Sequence, residues 1–117
     1  MPDKFELSID TISKLYTVFS KYSEIEKAII YGSRAKGNYK NGSDIDLTLI
    51  GSSDLNLTTL GKIMTGIDDL LLPYTEDLFL YNYLNDPDIL DHIRRASKIF
   101  YKKINYKLLR LYSPTLQ

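Results

Sequence analysis

Asp44 and Asp46 stand one residue apart at the head of an apolar run, Ile45-Asp46-Leu47-Thr48-Leu49-Ile50, and ten residues separate them from a Gly32-Ser33 pair. In a strand, residues i and i+2 share a face, so the two carboxylates point the same way. Their repulsion would keep a proton on one of them at neutral pH unless a counter-charge intervenes. A divalent cation supplies that charge. Mg²⁺ takes carboxylate oxygens while keeping water and substrate phosphates in its shell. Gly32 has no Cβ, so a phosphate can approach its backbone closely. Ser33 adds a hydroxyl donor and could cap a short helical turn over Arg34 to Lys36, whose N–H groups would face an anion. Arg34 and Lys36 add positive charge, and Asn38, Asn41, Gly42 and Ser43 supply the turn between the strands. The chemistry this set could perform is the binding of a metal-bound nucleoside triphosphate. Taken singly, Gly-Ser is an ordinary loop and Asp-x-Asp an ordinary solvated strand start; the combination and its spacing carry the information. An EF-hand is excluded because no Glu closes a twelve-residue loop. A P-loop is excluded because Gly61-Lys62 is followed by Ile63.

Two-metal phosphoryl chemistry calls for a further carboxylate on a neighbouring strand. Thr75-Glu76-Asp77-Leu78-Phe79-Leu80-Tyr81 is the remaining strand candidate. Asp77 shares a face with Phe79 and Tyr81, and Glu76 shares the other with Leu78 and Leu80. Asp77 and Glu76 are the two candidates for that third acid.

The elements that must position these groups follow from hydrophobic spacing. Residues 8–22 read as an amphipathic helix capped by Ser8, with Asp10 at its positive end and Ile12, Leu15, Tyr16 and Phe19 on one face. Residues 25–31 and 44–50 read as the first two strands. Leu57, Leu60, Ile63, Met64, Ile67, Leu70 and Leu71 mark a second helix, with Met64 expected in the core. Residues 75–81 form the third strand. Asp86-Pro87 opens a third helix whose apolar stripe is Ile89, Ile93, Ala96 and Phe100. His92 lies off that stripe, as a surface or rim histidine. Arg94, Arg95, Lys98, Lys102 and Lys103 make a solvated basic end. The order is α-β-β-α-β-α. The expected class is α/β (α+β): a small mixed sheet with helices packed on one face. Residues 1–103 make one domain, and residues 104–117 a C-terminal extension with a short helix around Leu108, Leu109 and Leu111 that Pro114 ends.

Composition sets further bounds. A chain of 117 residues suffices for one core. Its 15 basic and 15 acidic residues balance, which speaks against general nucleic-acid binding. Without cysteine it has no disulfide or thiolate metal site, and one histidine makes a His-based site unexpected. No membrane-spanning run or signal peptide is visible, so a cytoplasmic location is expected.

The run Gly32-Ser33-Arg34, the ten-residue spacer and Asp44-Ile45-Asp46 resemble the signature of the DNA-polymerase-β-like nucleotidyltransferases, and the short chain is similar to their minimal, stand-alone branch, the MNT proteins. The resemblance covers about residues 8–103. It implies transfer of a nucleoside monophosphate, AMP from ATP, by in-line attack on the α-phosphorus. It assigns metal ions, two Mg²⁺, to Asp44, Asp46 and Asp77, and the triphosphate to Gly32, Ser33 and Arg34, with Ser43 in the adjoining turn. MNT proteins commonly pair with a small helical HEPN toxin and act as antitoxins of the type VII kind by transferring AMP to a toxin tyrosine, so a HEPN partner is implied. Two other readings stay open: a nucleotide- or partner-binding module without catalysis, and a small-molecule nucleotidyltransferase, for example one acting on an antibiotic, whose acceptor pocket a homodimer could complete.

Overall fold

A computed structural model of the chain describes residues 5–37 and 44–103. Ser43 and the expected C-terminal helix within 104–117 lie outside the described residues. Helix α1 (Ile9–Ser20) starts at Ser8, whose Oγ accepts the Thr11 N–H at 3.2 Å, the capping bond expected from sequence. Strand β1 (Ile25–Tyr31) follows, then a single turn α2 (Ser33–Lys36), β2 (Ile45–Gly51) and α3 (Leu57–Asp68). Strand β3 (Glu76–Leu80) leads through a 3-10 turn at Tyr81–Tyr83 into α4 (Pro87–Ala96) and a last strand, β4 (Lys98–Lys102). Asp86 caps α4 by accepting from the Asp88 and Ile89 amides. Among the described residues no helix is long and apolar enough to cross a membrane.

The four strands form one mixed sheet in the order β3-β2-β1-β4. β1 runs antiparallel to both β2 and β4, and β2 runs parallel to β3, with α3 as the crossover. The α/β class and the mixed sheet are as the sequence implies, and β4 is an addition. The apolar stripe does not continue in one helix to Phe100. Ser97 adopts an extended backbone (φ −77°, ψ 157°), the chain reverses, and Lys98-Ile99-Phe100-Tyr101-Lys102 pairs along β1. Phe100 remains a core residue, but from a strand: it meets Tyr16 and Phe19 edge-on, and the Tyr16 hydroxyl donates to its carbonyl.

Alternation divides the sheet. Ala28, Ile30, Ile45, Leu47, Leu49, Leu78 and Leu80 face the main core under α1 and α3. Ile29, Tyr31 and Ile50 face the opposite side, where Ile89 and Ile93 of α4 pack on them. Helices therefore cover both faces, not one, which is why β1 is buried along most of its length. Met64, expected in the core, is 44% exposed, because α3 meets the sheet mainly through Ile63 and Ile67.

Candidate active site

The carboxylates meet on the face that α4 only partly covers. In the parallel β2–β3 ladder Asp46 stands opposite Asp77, and on the antiparallel side Asp46 stands opposite Tyr31. The register is held on this same face by Thr48, fully buried, whose Oγ1 donates to the Phe79 carbonyl at 3.2 Å. The Ile45 N–H donates to the Thr75 carbonyl at 2.8 Å and starts the ladder just before the acids. Glu76 falls on the other face, in a cleft beside Met64, Ile67 and Asp68 of α3, and its carboxyl is raised chiefly by burial. Of the two acids considered for the third position, the pleat brings Asp77 to Asp46.

Burial comes first in holding the Asp46 carboxyl up at about 6, followed by the Asp77 charge, a hydrogen bond shared with Asp77, and the Asp44 charge, against which Arg34 pulls it down. The neighbouring acids thus disfavour the charged form of Asp46, a repulsion that a divalent cation relieves. Asp44 is exposed immediately before β2 and acts on Asp46 through its charge. Among the described residues no three acidic, histidine or cysteine side chains converge as a closed metal cage. The donors present are hard carboxylate oxygens with open space on one side, which fits a Mg²⁺-type ion that keeps water and phosphate ligands. Tyr31, buried against the same acids, is pushed up to about 12 by burial and by the charges of Asp46 and Asp77, so its hydroxyl stays neutral.

Gly32 closes the other side of the site. Its backbone (φ 76°, ψ −158°) lies in a region open in practice only to glycine. A Cβ there would fall 2.3 Å from Asp46 Oδ2. The turn and Asp46 are therefore in van der Waals contact through a missing side chain. Ser33 begins α2, and the position before it is filled by Gly32 with no side-chain cap, so the Ser33 hydroxyl is not used up in capping the turn.

Arg34 is only 3% exposed. Its Nη1 donates to the Phe5 carbonyl at 2.9 Å, and its guanidinium carbon lies 4.9 Å from the Tyr74 ring centroid. What Arg34 offers Asp46 is charge. An open hollow of about 260 Å³ beside this turn is lined by Phe5, Arg34, Ala35, Lys36, Gly37 and Lys98.

One residue of the site is not visible in the motif. His92 of α4 is half-buried, not on a solvated rim: its Nε2 accepts the Gly32 N–H at 2.9 Å, and its ring meets Tyr31 edge-on at 6.2 Å. Its position off the apolar stripe was the available signal. The contact itself spans 60 residues and only the fold reveals it.

Residues 13–105 match the family model described as polymerase beta, nucleotidyltransferase. A Methanocaldococcus jannaschii protein named as a candidate protein adenylyltransferase is 30% identical over 92 residues, covering 78% of this chain and 75% of its own. The fold is similar to that of a toxin–antitoxin crystal structure with AMP-PNP, with a TM-score of 0.62 at 15% identity over 94% of this chain and 95% of that one. It is also similar to a chain in the complex of a tri-AMPylated Shewanella oneidensis HEPN toxin with an MNT antitoxin, with a TM-score of 0.57 at 11% identity over 91% and 92% of the two chains. With its acids in register, its glycine turn pressed on one of them and four-fifths of its length inside the family model, the chain belongs to the polymerase beta nucleotidyltransferase family.

Proposed function

We propose that this nucleotidyltransferase moves AMP from ATP to a tyrosine hydroxyl of a HEPN toxin and serves as its antitoxin. The observation that carries the reading is the register of Asp46 with Asp77 beside the Gly32-Ser33 turn. Support for adenylate and for a protein acceptor comes from the named relative and from the complexes whose fold this chain shares. Further support comes from the surface next to Asp77, where Phe79, Tyr81 and Tyr83 are exposed at 42%, 38% and 55%, more aromatic area than a small-molecule acceptor needs.

Asp44, Asp46 and Asp77 would hold Mg²⁺, which when bound would neutralise phosphate charge and favour the phenolate form of the acceptor tyrosine. Ser33 receives the β- and γ-phosphates through its hydroxyl, and Gly32, lacking a Cβ, seats that turn against Asp46. Lys36 and Lys98, around the adjoining hollow, favour the polyanion. Asp77 is exposed on the edge strand, where an incoming hydroxyl can reach it. The acceptor oxygen forms the new bond to the α-phosphorus, the bond from that phosphorus to the bridging oxygen of the β-phosphate breaks, and pyrophosphate leaves with the electron pair. The acceptor proton passes to Asp77 or to solvent.

The test is α-labelled ATP with Mg²⁺ and the product of the neighbouring gene, comparing wild type with the Asp44→Ala/Asp46→Ala double variant. Label on the partner that the double variant cannot transfer is the expected result. Stable complex formation without label from either protein would point to a binding module.

A further inference from the structure

The Gly32 amide does not face an open site in this structure. It is taken by His92, which arrives from α4 on the far side of the sequence. In this bond the Nε2 lone pair is the acceptor. The ring cannot wander, since Ile89 and Ile93 anchor α4 on Ile29 and Tyr31, and the His92 ring edge rests on Tyr31 itself. Gly32 in turn has little freedom on its other side, where the space a Cβ would take already belongs to Asp46 Oδ2. Gly32 is thus gripped from both directions, by the Asp46 carboxylate and by the His92 imidazole.

We infer that His92 is a positioning residue for nucleotidyl transfer: by holding the Gly32 N–H it fixes the Tyr31-Gly32 peptide from which the glycine turn departs, and with Gly32 confined on its other side by Asp46 this sets the placement of the Ser33 hydroxyl relative to Asp46. A triphosphate must reach the serine and the carboxylate-bound ion at once, and the two can serve it together only if the turn between them is rigid. Gly32 needs such a restraint more than most residues. Its backbone conformation is reached by giving up the flexibility that glycine otherwise has, and nothing in its own side chain enforces the choice. The inference rests on the reading of Gly32 and Ser33 as the triphosphate seat.

The experiment compares His92→Leu, His92→Gln and His92→Asn in the full chain, by thermal unfolding and by Mg²⁺-dependent ATP binding, with Ser33→Ala alongside. The Gln carboxamide oxygen reaches about as far as Nε2 and can accept from Gly32, whereas the Asn oxygen stops near the Nδ1 position. His92→Leu and His92→Asn should weaken ATP binding about five- to tenfold, the scale of one hydrogen bond, and His92→Gln should restore it to within about twofold of wild type. In the transfer assay the loss should appear in KM for ATP more than in kcat. Unchanged ATP binding in His92→Asn, or a His92→Gln variant as impaired as His92→Asn, overturns the assignment. If His92→Leu fails to fold, the comparison of the Gln and Asn variants still decides it. Loss of binding in Ser33→Ala with none in His92→Asn removes the role of His92 alone. No loss in Ser33→Ala removes the triphosphate seat as well.

Discussion

The Asp46→Asn substitution should stabilise the metal-free protein, and should do so only above the pH at which the wild-type carboxyl ionises. In the folded chain Asp46 rises from 3.8 to about 6. Between those values the folded state holds a proton that the unfolded state has released, so wild-type stability falls as pH rises through that window and then levels off. Two units correspond to about 3 kcal/mol as an upper bound. Asp46 is partly open to solvent, and screening reduces the expected deficit to about 1 kcal/mol. The asparagine of this variant carries no charge, keeps the shape and can donate to Asp77. The assay is thermal unfolding of chelator-treated wild type and variant from pH 4 to pH 8. The difference between the two curves cancels the titrating groups not coupled to Asp46, and it should be near zero at pH 4 and about 4 °C in favour of the variant at pH 8. Millimolar Mg²⁺ at pH 8 should restore the wild type and leave the variant unmoved, because a ligand of the native state stabilises by mass action. Parallel curves across the whole range would refute the idea that the carboxylate pair stores repulsion for a cation to relieve.

Gly32→Ala should lower the melting temperature by a strain of about 2 kcal/mol and lose ATP binding with it, because the new methyl lands on the Asp46 carboxylate; calorimetry of folding and binding reads both. Asp77→Asn should cut transfer at least about a hundredfold and also move the stability window of Asp46 to lower pH, since Asp77 is the leading charge acting on it; the unfolding series above shows the second effect without any acceptor. Phe79→Ala combined with Tyr83→Ala should reduce labelling of a protein acceptor about tenfold while ATP affinity stays unchanged, measured by titrating the partner at saturating ATP. Equal loss of ATP affinity would mean that these rings serve the nucleotide instead.

Much of the site could be read in the chain because its parts are short-range patterns. The Gly-Ser turn and the Asp-x-Asp strand each depend on patterns within a few residues, whereas alternation puts Asp77 and Glu76 on opposite faces and the preference for Asp77 comes from the resemblance. The Asp86-Pro87 start of α4 was equally local. The end of α4 was not. Ile89, Ile93, Ala96 and Phe100 keep helical spacing, but Phe100 fits a strand as well, and pairing with β1, some 70 residues earlier, decides the matter. That pairing also sends α4 to the second face, which an expectation of one covered face could not anticipate. Arg34 read as a loop cation because its partners, the Phe5 carbonyl and the Tyr74 ring, come from opposite ends of the domain. His92 escaped for the same reason.

The alternation in β3 has a consequence for fidelity. Glu76 and Asp77 are neighbours, so a slip of one residue against β2 would present Asp46 with a glutamate in place of an aspartate. The reacting groups themselves scarcely discriminate between the two, since both are carboxylates. The selection falls to Leu78 and Leu80, which lie 7% and 3% exposed beneath the sheet and would be turned out into water by the slip. Burying each is worth roughly 2 kcal/mol, enough to make the misregistered sheet rare. The length of the acid that stands opposite Asp46 is therefore chosen by two residues on the other face, and a substitution that made either of them polar would alter the site by miscounting rather than by removing a functional group.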